Sequence, residues 1–246
     1  MIKLAVTGCQ GRMGQAITNN ALDRKQDIFE VKALFESKAR NDIQKNFRNV
    51  PIYTDLNNLN GCDVLIDFTV PGALLANLEA AERYKVAMVI GTTGLSAAEI
   101  GFIKDTSKKI PIVFSSNMSL GVNLFFKLIE QTAKTMGRGI DKILIKETHH
   151  IHKKDKPSGT AKTMKEIAER YSGGDVLDRN VKAYRKGEVI GDHTIIFETF
   201  FDTITISHHA KTRDMFAIGA LNAAQWLVKV KKKKGLFNMQ DVLGLK

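Results

Sequence analysis

The residues best equipped for chemistry are concentrated in one segment, Glu147-Thr148-His149-His150-Ile151-His152-Lys153-Lys154-Asp155-Lys156-Pro157-Ser158-Gly159-Thr160. Half of the chain's six histidines fall within four positions there. A metal site is one reading, but neighbouring residues of an extended segment face opposite sides, so His149 and His150 diverge. No acidic residue is spaced as a tidy third ligand, and the lysines repel a cation. Solvated histidines on a basic loop are a second reading. The better one is a general acid set among lysines, where the cations hold an anionic substrate whose carbon a histidine protonates. Ser158, Gly159 and Thr160 then open a helix, and its free backbone N–H groups form a second anion site suited to a carboxylate.

A second constellation lies near the start. Gly8, Cys9, Gln10, Gly11, Arg12, Met13 and Gly14 sit between a strand pattern and a helix pattern. Small residues there let the backbone approach a pyrophosphate resting on the helix N-terminus. The spacing is G-x-x-G-x-x-G rather than the usual G-x-G-x-x-G, so alone it also fits a tight turn with no ligand. Glu36 ends the next strand, at a suitable distance to accept from the adenosine ribose hydroxyls. Two more strand ends are rich in Gly and Thr: Phe68-Thr69-Val70-Pro71-Gly72 and Gly91-Thr92-Thr93-Gly94. Ser115, Ser116, Asn117 and Met118 mark a fourth. Ligands of open α/β sheets bind at the carboxyl ends of strands, so together these ends favour a dinucleotide crevice.

The elements that must position these residues follow from hydrophobic period. Apolar runs at 2–7, 31–35, 64–68, 86–90 and 112–114 read as strands, alternating with helices at 13–22, 73–84 and 97–108. A polar connection joins the second and third strands. Near-continuous apolar strands between helices predict a parallel sheet covered on both faces, a doubly wound Rossmann-type domain. Beyond Asn117 the pattern changes. Residues 120–136 form a long amphipathic helix, 142–148 a strand and 161–171 a helix. Strands follow at 181–185, 194–200 and 203–207. Short turns at Lys186-Gly187 and Phe201-Asp202 predict that these last strands pair antiparallel. A final helix over 215–230 reaches back to the first domain. The fold class is α/β, with residues 1–118 and 214–246 in the dinucleotide-binding domain and 119–213 inserted between them.

Composition narrows the class. Hydrophobic residues make up 43% and charged residues 26%, as in ordinary globular proteins, which excludes extensive disorder. Only Cys9 and Cys62 are present, too few for a thiolate metal site and suited to a reducing cytoplasm. Neither a membrane span nor a signal peptide is expected. The net charge of +11 raises nucleic acid as a partner. Yet 14 basic and 12 acidic side chains fall in residues 1–120, against 23 and 14 afterwards. The excess lies in the 146–165 loop and in a lysine run at 229–234. A basic cleft drawing in a dianion explains the first. A helix C-terminus explains the second. Neither recognition helix nor stacking platform supports nucleic-acid binding.

The combination of the turn at 8–14, Asp67-Phe68-Thr69, Gly91-Thr92-Thr93-Gly94 and the loop at 147–161 resembles the 4-hydroxy-tetrahydrodipicolinate reductase family, formerly dihydrodipicolinate reductase, of lysine and diaminopimelate biosynthesis. The likeness runs over essentially the whole chain, including Gly191-Asp192-His193-Thr194 and residues 216–220. The histidine loop is its most specific part. The resemblance implies an NAD(P)H-dependent reduction of 4-hydroxy-tetrahydrodipicolinate with loss of water. It implies His149 as the acid/base residue, Lys153 as the second catalytic residue, and His150, Gly159 and Thr160 as substrate contacts, to which Ser158 is added. For the cofactor it implies Gly8 through Met13, Glu36, Gly91, Thr92, Thr93, Ser115, Ser116, Asn117 and Met118. It further implies that 119–213 is an inserted mixed α/β domain that binds substrate, and a homotetramer formed through that domain, with no metal.

One departure bears on the cofactor. Many relatives place Arg after the acidic residue of the second strand to grip a 2′-phosphate, whereas here Ser37 follows Glu36, and Lys38 and Arg40 are the nearest cations. An acidic residue favours the free ribose diol, so NADH is expected, with NADPH accepted to some degree. Domain closure is expected to hinge near 118–122 and 211–214. Two rivals are another nicotinamide-dependent reductase on the same scaffold and a basic nucleic-acid-binding module. A substrate panel separates the first, and salt-dependent DNA binding the second.

Overall fold

In a computed structural model of the chain, which describes residues 1–23, 28–229 and 234–245, the alternation of short apolar strands and helices builds an eight-stranded sheet. Its elements are β1 (Ile2–Thr7), α1 (Arg12–Leu22), β2 (Phe29–Phe35), β3 (Asn46–Phe47), β4 (Val50–Tyr53), β5 (Val64–Asp67), α2 (Pro71–Tyr84), β6 (Ala87–Ile90), α3 (Ala97–Ser107) and β7 (Pro111–Phe114). The strand order is β12-β7-β6-β5-β1-β2-β4-β3, where β12 (Gly235–Phe237) comes from the C-terminal segment. All neighbours run parallel except β3 and β4. From β1 the chain winds outward through β2 and β4, then returns to β5 on the other side of β1. The switch point therefore lies between β1 and β5, where doubly wound sheets open a crevice.

Both faces of the sheet are covered, so its strands are apolar at nearly every position. Ala5, Leu65, Met88, Ile90 and Ile112 pack with Leu74 and Leu78 of α2 and Ile103 of α3 in one buried cluster. On the opposite face lie α1 and α6 (Asp214–Lys229), the latter against β5, β6 and β7. Helix ends are set by local chemistry. Pro71 starts α2, and Lys85 closes it in the left-handed region at φ 58°. Ser96 and Glu99 cap α3 reciprocally.

Two stretches depart from the sequence expectation. The polar connection after β2 contains a small hairpin, β3 and β4, turned by Arg48 at φ 51° and Asn49 at φ 66°. Positive φ at both central residues matches the twist of a two-residue hairpin. After α6, residues to which the sequence assigned no element form β12 (Gly235–Phe237) and α7 (Met239–Leu243). The middle of the lysine run, Lys231, Lys232 and Lys233, lies outside the described residues, as does Val230.

The chain divides into two compact units, Met1–Ser119 with Asp214–Lys246, and Leu120–Arg213. In the second, α4 (Leu120–Met136) is followed by β8 (Lys142–His149), α5 (Gly159–Ser172), β9 (Val181–Arg185), β10 (Asp192–Glu198) and β11 (Thr203–His209). The sheet order is β11-β10-β8-β9. Here β10 is antiparallel to both neighbours. The expectation that β9 joins the antiparallel set is corrected, because β9 pairs parallel with β8 at the far edge. A helix between two strands returns the chain to the same end of the sheet, so β8-α5-β9 must be parallel. Inward residues Ile143, Ile145, Ile195 and Phe197 pack under Phe125, Ile129 and Met164 from α4 and α5. Among the described residues no helix is long and apolar enough to cross a membrane.

Candidate active site

In the first unit the carboxyl ends of β1, β2 and β5 border a cleft of about 600 Å³, lined by Gly8, Gly11, Glu36, Lys38, Arg40 and Thr69 among others. The turn that floors it requires glycine. Gly8 sits at φ +63°, and a Cβ on Gly14 would lie 2.2 Å from the Gly8 carbonyl oxygen. The backbone of the turn therefore packs directly on α1, which is what a pyrophosphate cradle needs. Glu36 leans across from β2, its carboxylate accepting from Gln10 N at 3.0 Å and from Ser37 N at 3.0 Å. The Gln10 side chain donates to the Asp42 carbonyl at 3.0 Å and accepts from Gln44 N at 3.1 Å, latching the loop that carries Lys38 and Arg40. Arg40 itself is paired with Asp42 at 2.6 Å.

The adjoining strand ends are tied together by Asp67, which is fully buried. It accepts from the Thr7 hydroxyl at 3.2 Å, Thr69 N at 2.9 Å, the Thr69 hydroxyl at 2.6 Å and Asn77 Nδ2 at 3.2 Å. The Thr92 hydroxyl approaches it at 3.4 Å and accepts from Thr69 N at 3.1 Å. One carboxylate thus holds the ends of β1, β5 and β6 in fixed relation, without a cation among these partners.

Of the expected cofactor residues, the cleft brings together Gly8, Gly11 and Glu36. Cys9 and Gln10 are buried beneath the turn, Met13 is half-buried and Arg12 is exposed at the first position of α1. Burial pushes the Cys9 thiol up to about 11, with Glu36 adding to it. Gly91, Thr92 and Thr93 follow β6, and Ser115, Ser116, Asn117 and Met118 follow β7, on the same carboxyl edge but outside this cleft. The glycine cradle and the cleft fit a dinucleotide.

The second unit supplies a different kind of site. His149, at the end of β8, is buried, and its Nδ1 donates to the carboxylate of Glu147, two residues earlier on the same face. Glu147 is 1% exposed. It also accepts from Ser158 N at 3.2 Å and from Arg185 Nη1 at 3.1 and 3.2 Å. Burial alone would raise the Glu147 carboxyl, but the His149 and Arg185 hydrogen bonds outweigh it and hold the group below its usual range. With Nδ1 so engaged, the ring presents Nε2. A Cβ on Gly191 would stand 3.0 Å from that nitrogen, so glycine keeps it uncrowded.

His193 packs edge-on against His149, ring centroids 5.0 Å apart. Burial first, and then the neighbouring His149, push His193 down to about 4, so it is neutral at ordinary pH. Its Nε2 lies 3.5 Å from the Ser158 hydroxyl, and its Nδ1 has no partner among the described residues. His208 continues this row onto β11.

Lys153 pairs with Asp155 at 2.8 Å. Burial works against ionised Asp155, yet the Lys153 ammonium and the Gly159 N–H together hold its carboxyl low. At the start of α5, the Ser158 hydroxyl accepts from Ala161 N at 3.2 Å. The N–H groups of Ser158 and Ala161 therefore already have protein acceptors at the start of α5, and Asp155 stands close to the Gly159 N–H. Thr160 is the second residue of α5 and half-buried. His150 turns away from His149 toward His152, 6.0 Å between centroids, with burial and Arg213 holding its pKa down. Among the described residues no group of three His, Cys, Asp or Glu is placed to hold a metal ion.

Glu147, Arg185, Gly191 and His193 carry much of this geometry, yet sequence reasoning assigned none of them a role. The available signal was spacing: Glu147 and His149 are two apart on a strand and so share a face. Arg185 and His193 are paired with His149 and Glu147 only by strand register.

Two family models match the chain one after the other. A family model described as dihydrodipicolinate reductase, N-terminus, matches residues 2–118, and one described as dihydrodipicolinate reductase, C-terminus, matches residues 121–243. The 4-hydroxy-tetrahydrodipicolinate reductase of Geobacter metallireducens is 40% identical over 272 residues, covering 100% of both chains. That of Nitrosomonas eutropha is 40% identical over 270 residues, covering 100% of this chain and 99% of its own. Among solved structures, a dipicolinate-bound dihydrodipicolinate reductase from Paenisporosarcina sp. TG-14 superposes with a TM-score of 0.82 over 98% of both chains, at 21% identity. A probable dehydrogenase from Thermotoga maritima shares the fold at a TM-score of 0.61 and 12% identity, covering 99% of this chain and 93% of its own. With family models matching residues 2–118 and 121–243 and full-length relatives at this identity, the chain belongs to the dihydrodipicolinate reductase family.

Proposed function

We propose that the protein reduces 4-hydroxy-tetrahydrodipicolinate to tetrahydrodipicolinate with loss of water, using NAD(P)H, in lysine and diaminopimelate biosynthesis. The observation that carries the reading is the buried Glu147–His149 pair beside the Lys153 loop and the start of α5. The first unit is the dinucleotide-binding domain, its Gly8–Gly14 turn cradling the pyrophosphate and Glu36 receiving the ribose hydroxyls. Residues 91–93 and 115–118 line the path toward the nicotinamide. Water leaves as the ring hydroxyl together with a hydrogen of the adjacent carbon, and the reduced dinucleotide, when bound, would supply a hydride to the carbon that bore the hydroxyl.

The second unit is the substrate domain. His149 delivers a proton from Nε2 to the adjacent ring carbon, with Glu147 fixing the tautomer and compensating the positive ring. Lys153 neutralises charge on the dicarboxylate. Ser158, Gly159 and Thr160 receive a carboxylate at the α5 start, which requires Asp155 to move aside, and His150 adds a further contact. Glu36 and the Arg40–Asp42 pair favour NADH over NADPH. The sheet face turned away from α4 and α5, with half-buried Leu144 and Ile196 and exposed Tyr184, serves a homotetramer. The free cysteines Cys9 and Cys62 suit the cytoplasm.

The experiment follows nicotinamide absorbance near ~340 nm with enzymatically generated substrate, for the wild type and for His149→Gln and Lys153→Ala. Each variant should lose about 10²- to 10⁴-fold in kcat. Near-wild-type turnover in both sinks the assignment of roles.

A further inference from the structure

Arg185 ends β9 directly across from the end of β8, paired in register with His149. Its guanidinium is largely enclosed, 15% exposed. Every edge of the fork is in use. Nη1 donates to both oxygens of Glu147, the carboxylate that holds His149, and to the Tyr184 carbonyl. Nε donates to the carbonyl of Lys153 at 3.2 Å, and Nη2 donates to the carbonyl of Asp155. The next residues extend the same grip: Lys186 N donates to the His149 carbonyl at 2.8 Å, and Ile151 N to the Gly187 carbonyl at 3.1 Å.

We infer that Arg185 is a positioning residue that sets His149 and Lys153 in one fixed relation, through Glu147 on one side and the Lys153 backbone on the other. The inference rests on the catalytic reading of those two residues. The segment from Lys153 to Pro157 has no helix or strand of its own, so side-chain donors must fix its path. A counter-ion for buried Glu147 needs only positive charge. Two further donors aimed at the carbonyls of Lys153 and Asp155 go beyond that need, and a planar guanidinium is the one side chain that presents them at the required angles. A lysine at this position supplies the charge and cannot reach both the carboxylate and the two carbonyls.

The test compares Arg185→Lys, Arg185→Met and Arg185→Ala in the full-length enzyme, with His149→Gln and Lys153→Ala as controls. Thermal melting reports folding. Misplacing a reacting group by about 1 Å costs about 10²-fold, so Arg185→Lys should lose about 30- to 100-fold in kcat with KM within about threefold. Arg185→Met should lose at least as much, and added guanidinium should restore part of kcat in Arg185→Ala. Near-wild-type kcat in Arg185→Lys would overturn the inference, since charge alone would then suffice. A loss confined to KM would overturn it as well. So would a loss in all three variants that tracks melting temperature and resists guanidinium. If His149→Gln and Lys153→Ala keep their kcat, the catalytic reading fails first and the positioning role falls with it.

Discussion

The carboxylate of Asp155 lies 2.8 Å from the Lys153 ammonium, and the nearby Gly159 N–H also favours its ionised form, so a side chain of the protein stands where a substrate carboxylate is proposed to bind. A dicarboxylate must displace it to reach either donor. Removing the competing charge while keeping the side chain's shape should therefore tighten dicarboxylate binding. Asp155 is half exposed, which screens the pair, so the effect is modest. Calorimetric titration of Asp155→Asn with pyridine-2,6-dicarboxylate should give a Kd about three- to fivefold below that of the wild type. An unchanged or weaker Kd would show that Asp155 supports the site rather than occupying it.

Gly191 stands against the Nε2 edge of His149, the proposed proton donor. Its missing side chain matters because a Cβ there would come within 3.0 Å of His149 Nε2 and 3.3 Å of His193 Cε1. Both rings are buried and packed against each other, which leaves them little room to retreat. Gly191→Ala should reduce kcat by about 10- to 100-fold through loss of proton-transfer geometry. NADH affinity, followed by fluorescence, should stay at the wild-type value because the first unit is untouched. Wild-type turnover in this variant would mean that Nε2 is not the working nitrogen.

The Rossmann half was legible because its signals are local. Gly8, Gly14 and Glu36 stand at fixed offsets from strands recognisable by apolar runs alone, and one turn sets their geometry. The Arg48–Asn49 hairpin was not legible, since neither residue advertises positive φ as Gly does. In the second unit the loop's residue types suggested proton chemistry, but the arrangement depends on pairing. Val181–Arg185 looked like a hairpin partner of β10, because a short Lys-Gly turn follows it. The α5 crossover overrides that turn and sets β9 beside β8, which delivers Arg185 to His149. Glu147, His193 and His208 likewise form one row across β8, β10 and β11 through register, which no window of sequence contains.

His193 gives the second unit a dependence on acid. It is 4% exposed and held at about 4, below the ordinary histidine value of 6.5, chiefly by burial. Glu147 pulls the other way, and His149 and His208 reinforce the depression. Above pH 6.5 both folded and unfolded chains carry it neutral. As pH falls from 6.5 toward 4 the unfolded chain takes up a proton that the folded chain refuses, so stability drops. The loss approaches about 1.4 kcal/mol per pH unit across that window and levels off below it. Urea unfolding of the wild type at pH 7 and pH 5 should show this decrease, and His193→Gln should reduce it by about 1 kcal/mol or more. An equal decrease in both proteins would assign the acid sensitivity to other groups.

Asp42 bears on the proposed preference for NADH over NADPH. Arg40 lines the cleft near Glu36, but its guanidinium is committed to the Asp42 carboxylate, whose backbone carbonyl is in turn held by Gln10. A 2′-phosphate would have to compete with Asp42 for Arg40 while facing repulsion from Glu36. Asp42→Asn removes the competing charge and preserves the carbonyl that latches the loop. Charge-assisted bonds to phosphate are roughly twice as strong as neutral ones, so the freed Arg40 should favour the phosphorylated cofactor. The ratio of kcat/KM for NADPH to that for NADH should rise by about 5- to 20-fold, a change of about 1–2 kcal/mol in relative transition-state binding. Glu36→Gln should move the same ratio in the same direction, because a neutral amide oxygen accepts less strongly from the ribose hydroxyls and no longer repels a 2′-phosphate. If Asp42→Asn leaves the ratio unchanged while Glu36→Gln shifts it, discrimination rests on Glu36 alone and Arg40 does not reach the ribose.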